Sequence, residues 1–322
     1  MKELQTSFVS LLATLRANLL AFDVYTVIIM TIYSILALAF YPYVSNAAAI
    51  ILQNALIATT IAALVLLTTL TSAPLFVLLR MFYIIPVIYI MYGQVHALVP
   101  AVHPVDYDDV LIAADRLLTG GVDPTVWMGR LAMPALTEYL QICYFLFYVL
   151  PILQAVELYR QNDLDRLAEF ARAMSFCYFI SYLAYFAMPA IGPRFTLHDF
   201  HRTDIELPGV FLTTWLRDIV NAGGGVAIGT TNPEHIVNRD CMPSGHTMLT
   251  LVNIVMAFRN RSRLRWLFVV IGGSLIIATV YLRYHYVVDL IIGAVFAVVF
   301  LAAEPTCNRF LIKKLQKVSQ RM

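Results

Sequence analysis

The sequence predicts an all-α integral membrane protein, a multi-span helical bundle of about eight passes, each needing roughly 20 apolar residues. Two observations of composition point there. Of the 322 residues, 60% are hydrophobic and only 13% are charged, against roughly 45–50% and about 25% in a soluble domain. Mean hydropathy is +0.76. The third observation is clustering: the apolar residues gather into runs of membrane-crossing length, separated by two long polar connections.

Taken in order, residues 1–23 are polar and lack the short apolar core of a cleavable signal peptide, so the first span is expected to serve as the targeting segment. Spans are predicted over 24–43, 48–70, 75–92, 136–158, 168–188, 264–282 and 286–303. Residues 243–258 form a shorter apolar run after His246 and are counted as an eighth. The connections 93–135 and 189–242 hold proline, glycine and charge and are expected to be loops or surface helices. Within them, 106–118 reads as an amphipathic helix, and 210–220 as an interfacial one. The expected organisation is a segment 1–73 with two added spans, a six-span catalytic core over 74–303, and a basic tail over 304–322.

Charge placement predicts orientation. Arg259, Arg261, Arg263 and Arg265 crowd one short loop, Arg160, Arg166 and Arg172 follow the span ending at 158, and the tail carries Arg309, Lys313, Lys314, Lys317 and Arg321. The positive-inside rule places all three segments in the cytoplasm. Eight passes then put both termini inside, and both long loops on the periplasmic, extracellular or lumenal side. The net charge of +2 leaves no basic surface for nucleic acid, which is not expected as a partner. The cysteines Cys143, Cys177, Cys241 and Cys307 show no paired metal spacing; Cys143 and Cys177, inside apolar runs, read as packing residues, and Cys241, bordering the motif, as structural. No cofactor and no metal are expected.

Two polar stretches interrupt the apolar chain, Cys241-Met242-Pro243-Ser244-Gly245-His246-Thr247 and Arg283-Tyr284-His285-Tyr286-Val287-Val288-Asp289. Ionisable groups at a membrane boundary are costly and usually functional. Pro243 suits the first turn of a helix. The N–H groups that follow form an anion site, with Gly245 allowing close approach and Ser244 and Thr247 adding hydroxyls. His285 and Asp289 stand at i and i+4 on one helix face, where a carboxylate holds the imidazole tautomer that leaves the other nitrogen free to attack. His246 is placed to move protons to and from an alkoxide. Phosphate oxygens need cations. Arg194, after the rigid Gly192-Pro193 turn, is the first candidate, Arg283 the second and Arg239 the third. Each motif alone also fits a capped helix or a buried polar pair, and the three acid–base groups also fit metal ligands or a transporter's proton relay.

Residues 243–246 and the pair His285 and Asp289 resemble the type-2 phosphatidic acid phosphatase superfamily, whose motifs are Pro-Ser-Gly-His and, later, Ser-Arg-x5-His-x3-Asp. The resemblance covers roughly 180–303. It implies His285 as nucleophile, Asp289 as its orienting partner and His246 as general acid. The chain departs from the family where Ser-Arg falls on Ala278-Thr279, and its Lys-x6-Arg-Pro motif is not recognisable. These departures resemble the branch of inositol phosphorylceramide and sphingomyelin synthases. So do Asp109, Asp115-Arg116-Leu117-Leu118, Asp123-Pro124 with Trp127, and Asp240 four residues before Ser244. The resemblance implies a metal-independent phosphatase acting on a lipid phosphate within the bilayer. The alternative it implies is a transferase that passes the phospho-group to a lipid alcohol.

Overall fold

The computed structural model describes residues 2–71 and 73–319, with side chains described over 10–311. Lys313, Lys314, Lys317 and Arg321 of the basic tail therefore lie outside the described side chains. The chain is helical throughout, and no strand occurs among the described residues. In chain order the helices are α1 (Lys2–Ala17), α2 (Ala21–Ala39), α3 (Ala47–Leu70), α4 (Pro74–Phe82) and α5 (Ile84–Val102). After the first long connection come α6 (Asp108–Leu118), α7 (Pro124–Met128), α8 (Pro134–Phe145), α9 (Leu150–Arg160) and α10 (Leu164–Ala184). Then follow α11 (Pro193–Thr196), α12 (Thr203–Glu206), α13 (Thr213–Gly223), α14 (Gly245–Arg259), α15 (Arg265–Tyr281) and α16 (Val287–Ser319).

Proline sets several of these starts. Pro74, Pro124, Pro134 and Pro193 each occupy a first helical position, where the missing N–H removes no hydrogen bond. Pro151 acts differently. It stands at the second position of α9, just after the 3-10 turn Leu146–Tyr148 that follows α8, and Pro134–Tyr148 meets Leu150–Arg160 at 51°, because proline cannot donate to the preceding turn and its ring crowds that carbonyl.

Among the described residues, four helical stretches are long and apolar enough to cross a membrane: Ala21–Ala39, Ala47–Leu70, Pro74–Val102 and Val287–Leu311. The bent α8–α9 pair brings the number to five. The third of these corrects a sequence expectation: helix continues through Gly93 to Val102, so the connection begins at His103 rather than at residue 93. Gly93 is compatible with that helix, and Pro100 sits within its last turn, where it no longer interrupts a following one. The remaining predicted spans are weaker on length and composition. α14 and α15 are 15 and 17 residues long, and α10 carries Glu169 and Arg172 inside its sequence.

The chain divides into two compact units. The first holds Met1–Val102, Leu164–Phe179 and Val299–Met322. Two of its buried carboxylates are paired. Asp23 accepts from Leu20 N–H at 2.7 Å and is engaged by the Arg80 guanidinium and the Tyr83 hydroxyl. Glu304 accepts from Tyr25 at 2.7 Å and pairs with Arg172 at 3.3 Å. Charges so buried persist only when paired.

The second unit holds His103–Asp163 and Ile180–Val298, and all the polar motifs fall in it. Its core joins Tyr144 of α8, Val220 of α13, Tyr281 of α15 and Tyr284. The predicted surface helices are present as α6 and, shifted three residues along, α13. Glu138 of α8 ties α13 down by accepting from Val210, Leu212 and Thr213 N–H at 2.9, 2.6 and 3.1 Å.

Candidate active site

Ser244 is the N-cap of α14, its hydroxyl accepting from Thr247 N–H at 3.2 Å and donating to the Thr247 hydroxyl at 3.1 Å. The Ser244 hydroxyl thus spends its proton on Thr247. The N–H groups of Gly245 and His246 lack an acceptor within the helix. Gly245 is small for a local reason as well: a Cβ there would lie 2.6 Å from the Tyr185 hydroxyl.

His285 is placed by the end of α15. Tyr284 N–H reaches back to Thr279 O at 2.8 Å and Arg283 N–H to Val280 O at 3.0 Å. This is a Schellman cap, whose left-handed position usually takes glycine. Here it takes Arg283, with φ of 69°, a conformation costing a side-chain residue roughly 1–2 kcal/mol. His285 N–H also bonds to Thr279 O, at 3.0 Å. Thr279, standing where the resembled family keeps an arginine, therefore serves through its carbonyl.

The two histidines meet. His246 Nδ1 lies 3.2 Å from His285 Nε2. On its other side, His285 Nδ1 is 2.9 Å from the Cys241 carbonyl and 3.4 Å from Asp289 Oδ2. A carbonyl only accepts, so the proton of His285 sits on Nδ1 and the lone pair on Nε2. In the neutral pair, His246 then donates from Nδ1 to that lone pair. His246 Nε2 is buried without a hydrogen-bond partner among the described residues.

Asp289 is fully buried. Its Oδ2 also accepts from Tyr286 N–H at 3.0 Å and from the Cys241 thiol at 2.8 Å. Burial pushes the Cys241 thiol well above its usual range, and Asp289 acts in the same direction, so the thiol stays a donor. Cys241, read from sequence as structural, touches both partners of the pair. Cys241 Sγ, His285 Nδ1 and Asp289 Oδ2 lie within 4.8 Å of one another, a set able to hold a metal ion.

The arginines are held around these residues. Arg194 is buried; it donates to Asn221 Oδ1 at 2.6 Å, and its guanidinium lies 4.6 Å from the Tyr284 ring. Its backbone N–H bonds to Arg283 O at 3.0 Å. Gly192, two residues before, has φ of 94°, and a Cβ there would meet Tyr284 O at 2.8 Å. Tyr284 stacks on Tyr144 at 4.3 Å and Tyr144 on His246 at 4.7 Å. A column thus runs from the Arg194 cation through two phenol rings to the His246 imidazole. Arg283 pairs with Glu206 at 2.6 Å, and Arg239 with Asp106 at 2.8 Å. Asp240 is half-buried and acts electrostatically on His246 and Tyr144.

Two residues of α6 frame the site. Asp108 accepts from Ile191 and Gly192 N–H at 3.0 and 2.8 Å and from the Tyr286 hydroxyl at 2.9 Å. Asp115 accepts from Val287 and Val288 N–H at 2.8 and 2.7 Å, capping α16 from another helix. Burial raises both carboxyls, while these donors pull them down. Sequence reasoning singled out Asp115 but not Asp108; their seven-residue spacing on an amphipathic helix was the available signal. Nothing local marks Tyr144, Glu206 or Asn221, which reach the site only through tertiary packing.

A family model described as the PAP2 superfamily matches residues 109–303. Comparison with curated proteins and with solved structures finds no match.

Proposed function

Since the chain belongs to the PAP2 superfamily, we propose that it is a membrane lipid-phosphate phosphatase whose nucleophile is His285. The observation that carries this reading is the chain of contacts from His246 Nδ1 to His285 Nε2 and from His285 Nδ1 to Cys241 O and Asp289. It leaves Nε2 as the attacking atom and faces it with a proton-bearing imidazole.

In the first step the Nε2–phosphorus bond forms and the bond to the leaving alkoxide breaks. His246, as imidazolium paired with the phosphate charge, gives its proton to that alkoxide. In the second step water attacks phosphorus, the N–P bond breaks, and the water proton returns to His246. At 3.2 Å the histidines leave no room for a phosphoryl group between them, so substrate binding separates the rings. Arg194, Arg283 and the free N–H groups of Gly245 and His246 are the proposed phosphate ligands, with Ser244, Thr247 and Asp240 shaping their surroundings. No step requires a metal.

The bilayer supplies the substrate, a lipid phosphate. We further propose eight passes, with 74–303 as the catalytic core, both termini cytoplasmic and the site on the opposite side. A second reading, transfer to a lipid alcohol, is favoured by a cavity of about 390 Å³ lined by Asp204, Arg217, Asp218 and Asn221 together with Phe200, Val226 and Ile228. Asn221 also holds Arg194, so the cavity adjoins a proposed phosphate ligand.

Purified protein given labelled lipid phosphate, with and without ceramide or diacylglycerol, separates the two readings. Phosphate release without acceptor is expected, persisting in excess chelator; label moving only to the added alcohol would replace the phosphatase reading. His285→Ala is expected to abolish turnover. His246→Ala should be nearly as damaging on an alkyl phosphate and much less so on p-nitrophenyl phosphate, whose leaving group needs no proton. Equal loss on both would remove the general-acid role.

A further inference from the structure

The Cys241 thiol, unlike its carbonyl, has no part in the phosphoryl steps, yet it is buried against Asp289 and beside His285. The three ligand atoms form a triangle with edges of 2.8 Å (Sγ to Oδ2), 3.7 Å (Sγ to Nδ1) and 3.4 Å (Nδ1 to Oδ2). Tetrahedral zinc, with bonds of about 2.3 Å to sulfur and about 2.0–2.1 Å to nitrogen and oxygen, sets edges of roughly 3.6, 3.6 and 3.4 Å for the same pairs. Two edges already agree, and the third must open by roughly 0.8 Å, as expected when a hydrogen bond is replaced by an ion. Asp289 Oδ1 is buried without a partner among the described residues, which leaves the carboxylate a second oxygen for the cation. A divalent ion with one thiolate and one carboxylate is neutral overall, which suits a buried position.

We propose that Cys241, His285 and Asp289 form an inhibitory site for a thiophilic divalent cation such as Zn²⁺ or Cd²⁺. On binding, the S–H bond breaks, its proton leaves to solvent and a metal–sulfur bond forms. The metal also takes the Nδ1 lone pair of His285, so the imidazole proton moves from Nδ1 to Nε2. His246 adopts the complementary tautomer. Nε2 then carries a hydrogen and has no lone pair with which to attack phosphorus. The loss of activity rests on His285 being the nucleophile; the binding does not. Soft thiolate selects zinc and cadmium over Mg²⁺, which prefers oxygen ligands and octahedral geometry.

The test uses the full chain in detergent, with Zn²⁺, Cd²⁺ and Mg²⁺ as probes and Cys241→Ser and Cys241→Ala as variants, each compared with its own metal-free activity. The wild type should lose phosphate release with Zn²⁺ or Cd²⁺, regain it on chelation, and ignore Mg²⁺. Cys241→Ser should raise the inhibitory concentration by more than the roughly 10–100-fold that loss of an outer-shell partner costs. Cd²⁺ should give a sulfur-to-cadmium charge-transfer band and a raised unfolding temperature in the wild type, both absent from a folded Cys241 variant. These two readouts need no turnover, so they stand even if the phosphatase reading fails. Equal inhibition of wild type and variant, activation by Zn²⁺, or a cadmium band that survives removal of Cys241 would each overturn the proposal.

Discussion

His285 has two acceptors for its Nδ1 proton, and the nearer is not the expected one. The Cys241 carbonyl at 2.9 Å precedes Asp289 at 3.4 Å. In a triad whose carboxylate is the main anchor, replacing it by the amide costs on the order of 10⁴ in rate through the wrong tautomer. Here the carbonyl continues to enforce the tautomer, and the amide removes chiefly the negative charge beside the imidazole. Asp289→Asn is therefore expected to lower kcat by roughly 10²–10³, with KM little changed, a smaller loss than the triad precedent. Steady-state kinetics on one lipid phosphate checks this, and a full 10⁴-fold loss would mean that Asp289 alone sets the tautomer. Sequence reasoning found the i,i+4 pair from its spacing but expected both on one helix face; Asp289 lies in the first turn of α16, while His285 stands in the connection just before it. It missed the Cys241 carbonyl because that contact spans 44 residues.

At the scale of elements, the site is assembled from helix ends rather than helix faces. α14 begins at it, α15 ends at it in a Schellman cap, and α16 begins at it under a borrowed cap. That cap is Asp115, which bonds Val287 and Val288 N–H from α6. Losing an N-cap side chain costs about 0.5–2 kcal/mol. Asp115→Ala should therefore lower thermal stability by about that amount and also lower kcat, since that turn carries Asp289 and follows directly on His285. Asp115→Asn, which keeps an acceptor, should recover most of the stability. Thermal unfolding and phosphate release measured together test it; an unchanged kcat in Asp115→Ala would detach α6 from the site. The helix over 106–118 was legible from its amphipathic spacing, but what it caps was not.

At the scale of the whole molecule, the long apolar helices make the chain an integral membrane protein, and the arginine clusters predict its orientation. Single cysteines at Ile228 and at Arg261, in a background otherwise free of reactive thiols, should label differently. A membrane-impermeant reagent added to sealed, right-side-out vesicles should reach position 228 and not position 261. Labelling of both from one side, or the reverse pattern, would invert the proposed topology. The same experiment extended to Thr71 and Arg160 would count passes, which helix length does not do for α10, α14 and α15.

The amino-acid sequence by itself determined the membrane class and the helical content, and it singled out the two polar motifs whose histidines the fold brings together. Apolar runs, Pro-Ser-Gly-His and His-x-x-x-Asp are local patterns, and burial in a bilayer makes each informative. Only the tertiary structure decided the partners: Cys241 beside Asp289, Arg194 on Tyr284 and Asn221, Tyr144 between His246 and Tyr284, and Asp108 and Asp115 under the loops. The physical reason is sequence separation. A helix turn relates residues three or four apart, whereas these contacts join segments tens of residues apart and depend on how whole helices pack. The vacancy at Thr279 makes the point most directly. Sequence reads it as a missing arginine, while the fold uses its carbonyl to hold Tyr284 and His285 in place.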